Sequence, residues 1–311
     1  MDTSTHGGVE QYNAKLMVTF CLTLVLFLIE VIGGFVSHSL ALLSDAAHVL
    51  TDLLSTALTW YALKQTQKPA NRGMTFGYHR ASVIAAFGNT GTLILLSFWI
   101  LGEAIVRLFQ PEPIAFSTMI GAAGIGLLIN LIIVFLLTRG EANLNIRSAI
   151  LHFIGDAAAS IGVITGAIVI HLTDWYPIDP ILSVMIAFLL SWNARKILKE
   201  AIHILMEGVP KEIDPLDVIE ELKTIEGIRD VHDLHIWGVS DEHVAMTCHL
   251  VIQPTMTIEK AQHTLDGATE LLRSKFNIGH PTLQLETESH PHHEGLLHGE
   301  NAADPPHAEI D

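Results

Sequence analysis

The chain has 311 residues, half of them hydrophobic, with 17 basic against 33 acidic side chains and a formal net charge of −16. So apolar a composition speaks against an ordinary soluble enzyme, and the acidic balance speaks against nucleic acid as a partner. Cys21 and Cys248 lie far apart in sequence and offer no disulfide framework.

The opening stretch, MDTSTHGGVEQYNA, carries no basic residue. It therefore lacks the charged start of a cleaved signal, and residues 1–14 are expected to be a short segment ahead of a retained span. Apolar stretches of about 20 residues are long enough to cross a bilayer as helices. Six are predicted, near Lys15 to Val36, Leu40 to Leu63, Ser82 to Phe109, Ile114 to Leu137, Ser148 to Leu172 and Pro180 to Leu205. The spans make residues 15–207 an α-helical membrane bundle with both termini on one side. Lys64, Lys68, Arg72 and Arg80 flank the second connection, Arg139 and Arg147 the fourth, and Arg195, Lys196 and Lys199 close the sixth span. The odd connections are almost free of basic residues, with Arg107 the near exception. The positive-inside rule then places both termini in the cytoplasm.

Around Gly208 the pattern changes. Pro210, Asp214 and Pro215 mark a boundary, and Val218, Ile219, Leu222 and Ile225 recur at helical spacing. Two strand-like runs follow, Val231 to Val239 and His243 to Ile252. A helical stripe of Ile258, Ala261, Leu265, Ala268 and Leu272 leads to a third strand at Thr282 to Glu286. Residues 208–288 are thus predicted as a soluble α+β domain of order αββαβ, a ferredoxin-like open-faced sandwich. Residues 289–311 are polar and rich in Pro and His, including His290, His292, His293, His298 and His307. They are expected to be disordered.

Within the bundle, His48-x-x-x-Asp52 and His152-x-x-x-Asp156 repeat one pattern on the second and fifth spans. A spacing of four puts each His and Asp on one helix face. Ionisable groups at membrane depth are costly and are retained where they pair, line a cavity or bind an ion. One pair alone is compatible with a helix-local hydrogen bond. Two matched pairs point to a shared tetrahedral Zn²⁺, whose charge offsets two carboxylates while two imidazoles stay neutral. Small residues such as Ser44, Ala46, Gly155, Ala157 and Ser160 would let the two spans approach. Asp45, one turn before His48, is a candidate for the access path. Glu30, Asn89, Glu103 and Asn130 are expected to make interhelical hydrogen bonds. Metal ligands must shed protons, so occupancy by Zn²⁺ and protonation exclude one another, and a site open alternately to two sides exchanges the two.

In the soluble domain His232, His249 and Glu286 fall on polar phases of three strands, a two-histidine, one-carboxylate cluster fit for a second metal. His235 is an additional histidine expected at the surface.

The stretches SLALLSDAAHVLTDLLS, TFGYHRASVIAAF, NLNIRSAILHFIGDAAASIGVI and HDLHIW together resemble the cation diffusion facilitator family, in its zinc-transporting branch of bacterial zinc/proton antiporters. The resemblance covers about residues 15 to 288. It implies a homodimeric antiporter of the bacterial inner membrane that exports Zn²⁺ in exchange for protons. It places the transport site at His48, Asp52, His152 and Asp156, and a structural metal site that steadies the dimer at His232, His249 and Glu286. Glu286 stands where some members carry His. His48 at the first position implies zinc, whereas Asp there is associated with broader handling of cadmium or iron. Arg80 and Glu207 match a charge pair that locks spans together at the cytoplasmic end. The loop Pro69 to Arg80 has Tyr78 where relatives with a loop metal site carry His, and no such site is expected.

Three other readings compete. A broader exporter of Cd²⁺, Co²⁺, Fe²⁺ or Mn²⁺ would use the same four residues. An intramembrane zinc hydrolase would need an open metal position and a spare base, as in His-Glu-x-x-His, which is missing. A sensor would need only the soluble domain. The phosphate-binding Gly-x-x-x-x-Gly-Lys-Ser/Thr loop of ATP-driven pumps is also missing, so an ion gradient is the expected energy source.

Overall fold

In the computed structural model the described residues are 4–138, 144–240 and 242–287. The segment expected to be disordered, with its five histidines, lies outside them. Six long helices come first: α1 (Ser4–Ser37), α2 (Leu40–Thr66), α3 (Arg80–Phe109), α4 (Phe116–Thr138), α5 (Leu144–Thr173) and α6 (Ile178–Leu205). Five of them contain windows long and apolar enough to cross a membrane. α2 matches its neighbours in length but is not among the five, because Ser44, Asp45, His48, Thr51 and Asp52 interrupt its apolar surface. α1 begins at Ser4, ahead of the apolar run at Lys15, since no proline stands between to end it.

The described chain divides into two compact units, one drawn from residues up to Tyr61 and from Ala85–Leu198, the other from Ala62–Ile84 and from Lys199 onward. In the first, Ser44, Ala46, Ala157 and Ser160 are buried, and small residues elsewhere also mark tight contacts. A Cβ placed on Gly33 of α1 would lie 2.5 Å from that of Ala122 on α4, and one on Gly166 of α5 would lie 2.4 Å from Leu182 of α6. By contrast nothing lies within 4 Å of such an atom on Gly155. The helices that approach most extensively are α4 with α5 and α1 with α4, the second pair at Gly33, where dispersion contacts gain from the missing side chain. Met119, Ala123, Val163 and Ala167 continue that core. Leu95, Phe98, Trp99, Phe135, Phe188 and Trp192 remain exposed, an apolar exterior suited to lipid.

The second unit contains α7 (Pro215–Lys223), β1 (Ile228–Ser240), β2 (His243–Ile252), α8 (Ile258–Phe276) and β3 (His280–Thr287), in the expected αββαβ order. Asp214 caps α7 by accepting from the Leu216 amide, with Pro215 in the first turn, where its missing N–H costs nothing. Asn277 ends α8 in the left-handed conformation. The sheet runs β1-β2-β3, the hairpin pair antiparallel and β2 parallel to β3 through the α8 crossover. Val231, Leu234, Ile236, Met246, Cys248 and Leu250 face the helices as core.

The spacing of those β1 core residues slips from two to three at one point. His232 pairs with His249 and His235 with Thr247, so β1 spends three steps where β2 spends two. The extra residue is a β-bulge, and Asp233 within it has φ +52°. Two consecutive side chains, His232 and Asp233, thereby share the polar face with His235.

Candidate metal sites

His48 and Asp52 come from α2, His152 and Asp156 from α5, and the four offer ligand atoms that all lie within 4.8 Å of one another. Nε2 of His48 is 3.3 Å from Asp156 and 3.7 Å from Asp52, while Nε2 of His152 is 3.1 Å from Asp52 and 3.6 Å from Asp156. Each imidazole thus faces both carboxylates, and the contacts between helices are shorter than those within one helix. A helix-local His–Asp bond would give the opposite order. Zinc–ligand bonds of about 2.0–2.1 Å in tetrahedral geometry imply ligand atoms about 3.3–3.4 Å apart. The four His–Asp distances straddle that value. The two rings meet edge to face with centroids 5.6 Å apart, which directs both nitrogens at one point.

Burial is uneven around the quartet. Asp156 is buried and Asp45 more deeply so, while the His152 side chain is 40% exposed, so the cluster opens on the His152 side. Ser44 and Ser160 are fully buried beside it, their hydroxyls donating to the Leu40 and Asp156 carbonyls.

α2 is held at its start by a residue the sequence did not single out. Asp179 of α6 accepts from the Ser39 hydroxyl at 2.6 Å and from the Leu40 and Ala41 amides at 2.7 and 3.3 Å. Arg107 bonds the His38 carbonyl and pairs with Glu103 and Glu112, so the one basic residue that departed from the charge pattern is neutralised locally. The expectation of interhelical hydrogen bonds is met for Asn89, which donates to Ser55. It is not met by Glu103, whose partner is one turn along its own helix. Nor is it met by the Asn130 carbonyl oxygen, which finds no donor among the described residues despite full burial, whereas the buried Glu30 carboxyl of α1 pairs with that of Asp45 on α2.

In the second unit His232, His249 and Glu286 also form a three-ligand group within 4.8 Å. Glu286 reaches both histidines, at 3.2 Å to Nε2 of His232 and 3.1 Å to Nδ1 of His249. Asp233, overlooked in the sequence, joins them at 3.6 Å from Nε2 of His249 and 3.2 Å from His235. The available signal was the slip in apolar phase between Val231 and Leu234, which marks the bulge. Cys248 contributes no ligand: it points into the core, and burial, with Asp233 nearby, pushes its thiol up to about 12. Arg80 and Glu207 stand 3.1 Å apart as a solvent-exposed pair. In the loop before α3, His79 stacks on His243 of β2 with centroids 3.8 Å apart, in a face-to-face geometry that does not aim two nitrogens at one ion.

Comparison with known proteins matches residues 16–206 to the cation efflux transmembrane domain and residues 210–288 to the cation efflux protein cytoplasmic domain. A cadmium, cobalt and zinc/H(+)-K(+) antiporter of Bacillus subtilis is 40% identical over 296 residues, 94% of this chain and 95% of that protein. The zinc transporter ZitB of Escherichia coli is 36% identical over 91% of this chain and 90% of its own length. The metal cation efflux system protein CzcD of Cupriavidus metallidurans is 36% identical over 90% and 87%. Among solved structures, the metal-bound C-terminal domain of the CzcD transporter is 30% identical, covering 24% of this chain and 99% of its own, with a TM-score of 0.22.

Proposed function

We propose that this chain, which belongs to the cation efflux family, exports Zn²⁺ from the cytoplasm in exchange for protons through the site formed by His48, Asp52, His152 and Asp156. It is a membrane transporter rather than an enzyme. The observation that carries the reading is the alternating His–Asp ring between α2 and α5, with distances suited to one tetrahedral ion. Two carboxylates and two neutral imidazoles bring a divalent cation to net neutrality in a low-dielectric bundle. Once protonated, the same imidazoles lose the lone pairs that bind metal, so each turnover trades one cargo for the other. A closed shell of four protein ligands suits exchange better than hydrolysis, which needs an open metal position.

The basic residues at the ends of α2, α3 and α6 support cytoplasmic termini, and the local pairing of Arg107 removes the main exception to that pattern. A bacterial inner membrane with protons more abundant outside would drive the metal outward. We read the C-terminal domain as the cytoplasmic dimerisation module of a homodimer, with His232, His249 and Glu286 as its own zinc site. The relatives named for cadmium, cobalt and zinc favour a second reading, in which the same four residues carry several divalent ions.

The test is flux in proteoliposomes with an imposed pH gradient, supplying Zn²⁺, Cd²⁺ or Co²⁺ to the wild type and to Asp52→Ala and Asp156→Ala. Proton-coupled Zn²⁺ flux that is lost in both variants is expected. Undiminished flux in either one removes the proposed site, and comparable Cd²⁺ or Co²⁺ flux in the wild type selects the broader reading.

A further inference from the structure

We propose that Asp233 is a positioning residue for the cytoplasmic metal site, holding His249 in the tautomer that presents Nδ1 to the ion. The inference rests on the reading of His232, His249 and Glu286 as that site. A neutral imidazole has one lone pair and one N–H, so a histidine that binds metal through one nitrogen must place its proton on the other. His249 faces a carboxylate at each end: Glu286 lies 3.1 Å from Nδ1 and Asp233 lies 3.6 Å from Nε2. Nδ1 belongs to the ligand side, because Glu286 also reaches His232 and, among the described residues, these three share the ligand group. With metal on Nδ1 the proton must sit on Nε2, and Asp233 is the acceptor opposite it. The contact is longer than a hydrogen bond, so the proposed role requires the ring to turn slightly toward Asp233 when metal binds.

Asp233 is itself fixed from the other side. Its second oxygen is 3.2 Å from Nε2 of His235, two residues along β1. The row His235, Asp233, His249, Glu286 thus alternates imidazole and carboxylate across the polar face of the sheet. Carboxylates that receive the outer N–H of a ligating histidine raise its basicity and lock its orientation, and removing one typically weakens metal binding about 10- to 100-fold.

The backbone accounts for how Asp233 gets there. In a regular strand the neighbour of His232 would point to the opposite face, into the core beside Val231 and Leu234. The bulge between His232 and His235, with φ +52° at Asp233, turns the side chain to the polar face instead. Aspartate tolerates that conformation better than most residues, and glycine better still.

That last difference separates a positioning role from a purely backbone one. In full-length protein carrying Asp52→Ala and Asp156→Ala, so that the transport site is silent, Zn²⁺ affinity would be measured by competition with a chelating dye. Co²⁺ absorption would report the inner ligands. His249→Ala is expected to abolish binding, and if it does not, the underlying site is wrong rather than the role of Asp233. Asp233→Gly keeps the left-handed backbone but removes the acceptor, and it should weaken Zn²⁺ binding about 10- to 100-fold while the Co²⁺ band shape is retained. Asp233→Asn, whose side-chain oxygen can still accept the N–H, should recover most of that loss. Wild-type affinity in Asp233→Gly overturns the proposal in favour of a backbone role, and a changed Co²⁺ band shape overturns it in favour of direct ligation.

Discussion

The carboxylate of Asp179, in the first turn of α6, accepts a 2.6 Å hydrogen bond from the hydroxyl of Ser39, the residue immediately before α2. It also takes the first two amides of α2, so one helix is capped by a residue of another. A helix start normally satisfies its free N–H groups with a local side chain. Here the cap doubles as a crosslink between the ligand-bearing helix and α6, and both Ser39 and Asp179 are fully buried.

Replacing Asp179 by Ala should therefore cost more than an ordinary cap. It strands a buried hydroxyl and two amides, for a loss of roughly 2–3 kcal/mol. Thermal unfolding in detergent should register it as a clear drop in Tm, with transport falling alongside because α2 no longer presents His48 and Asp52 from a fixed start. A Tm within error of wild type would mean that water or a neighbour replaces the cap without penalty.

A second structural prediction concerns Gly33. The Cβ of an alanine there would meet that of Ala122 at 2.5 Å, and neither atom can move without its backbone. Gly33→Ala should push α1 from α4 and destabilise the bundle by about 1–3 kcal/mol, an overpacking cost. Gly155→Ala, with open space at the same atom, should be neutral or slightly stabilising through helix propensity. Comparing the two unfolding temperatures under one detergent condition is the measurement.

These two glycines show what the sequence exposed and what it concealed. Hydrophobic run length predicted the long helices, and the four-residue spacing predicted which side chains each ligand helix puts on one face, because both follow from the geometry of a single helix. Which helices touch is a property of the assembled bundle: of the small residues beside the His–Asp pairs, Ser44, Ala46, Ala157 and Ser160 are buried but Gly155 meets open space, while Gly33 and Gly166 contact other helices. The same limit hid Asp179, an acidic residue at a helix start whose partner lies 140 residues away. Asp233 was a different kind of omission. Strict alternation predicts the polar face of β1 only until the bulge shifts it by one.

The pH response of the cytoplasmic cluster has a definite sign. Burial works against the ionised form of Glu286, but a hydrogen bond from Gln284 and the nearby His249 and His232 outweigh it and hold the carboxyl below its ordinary range. A group depressed on folding contributes stability that is complete above its unfolded pKa, near 4.3 for glutamate, and lost as pH falls through the folded value. With metal removed by chelator, the stability difference between wild type and Glu286→Gln should be largest above about pH 5 and shrink on acidification. Thermal unfolding of the full chain at a series of pH values measures it, and a difference that grows toward low pH would falsify the assignment.

If His48 is a ligand of the transported ion, selectivity should move with it. Exchanging its imidazole for a carboxylate leaves three negative groups around a divalent ion, so the occupied site passes from neutral to a net charge of −1. It also trades a nitrogen donor for an oxygen that can bind through one or both atoms. The first change penalises the loaded state in a low-dielectric bundle, and the second relaxes the four-coordinate preference that suits zinc. Contacts of 3.3 and 3.7 Å from Nε2 of His48 to the two aspartates become oxygen–oxygen contacts, and repulsion widens the shell toward larger ions. His48→Asp should therefore lower Zn²⁺ flux and raise the ratio of Cd²⁺ or Mn²⁺ to Zn²⁺ flux severalfold in competition assays with mixed metals. An unchanged ratio would place selectivity elsewhere, on the remaining three residues of the quartet.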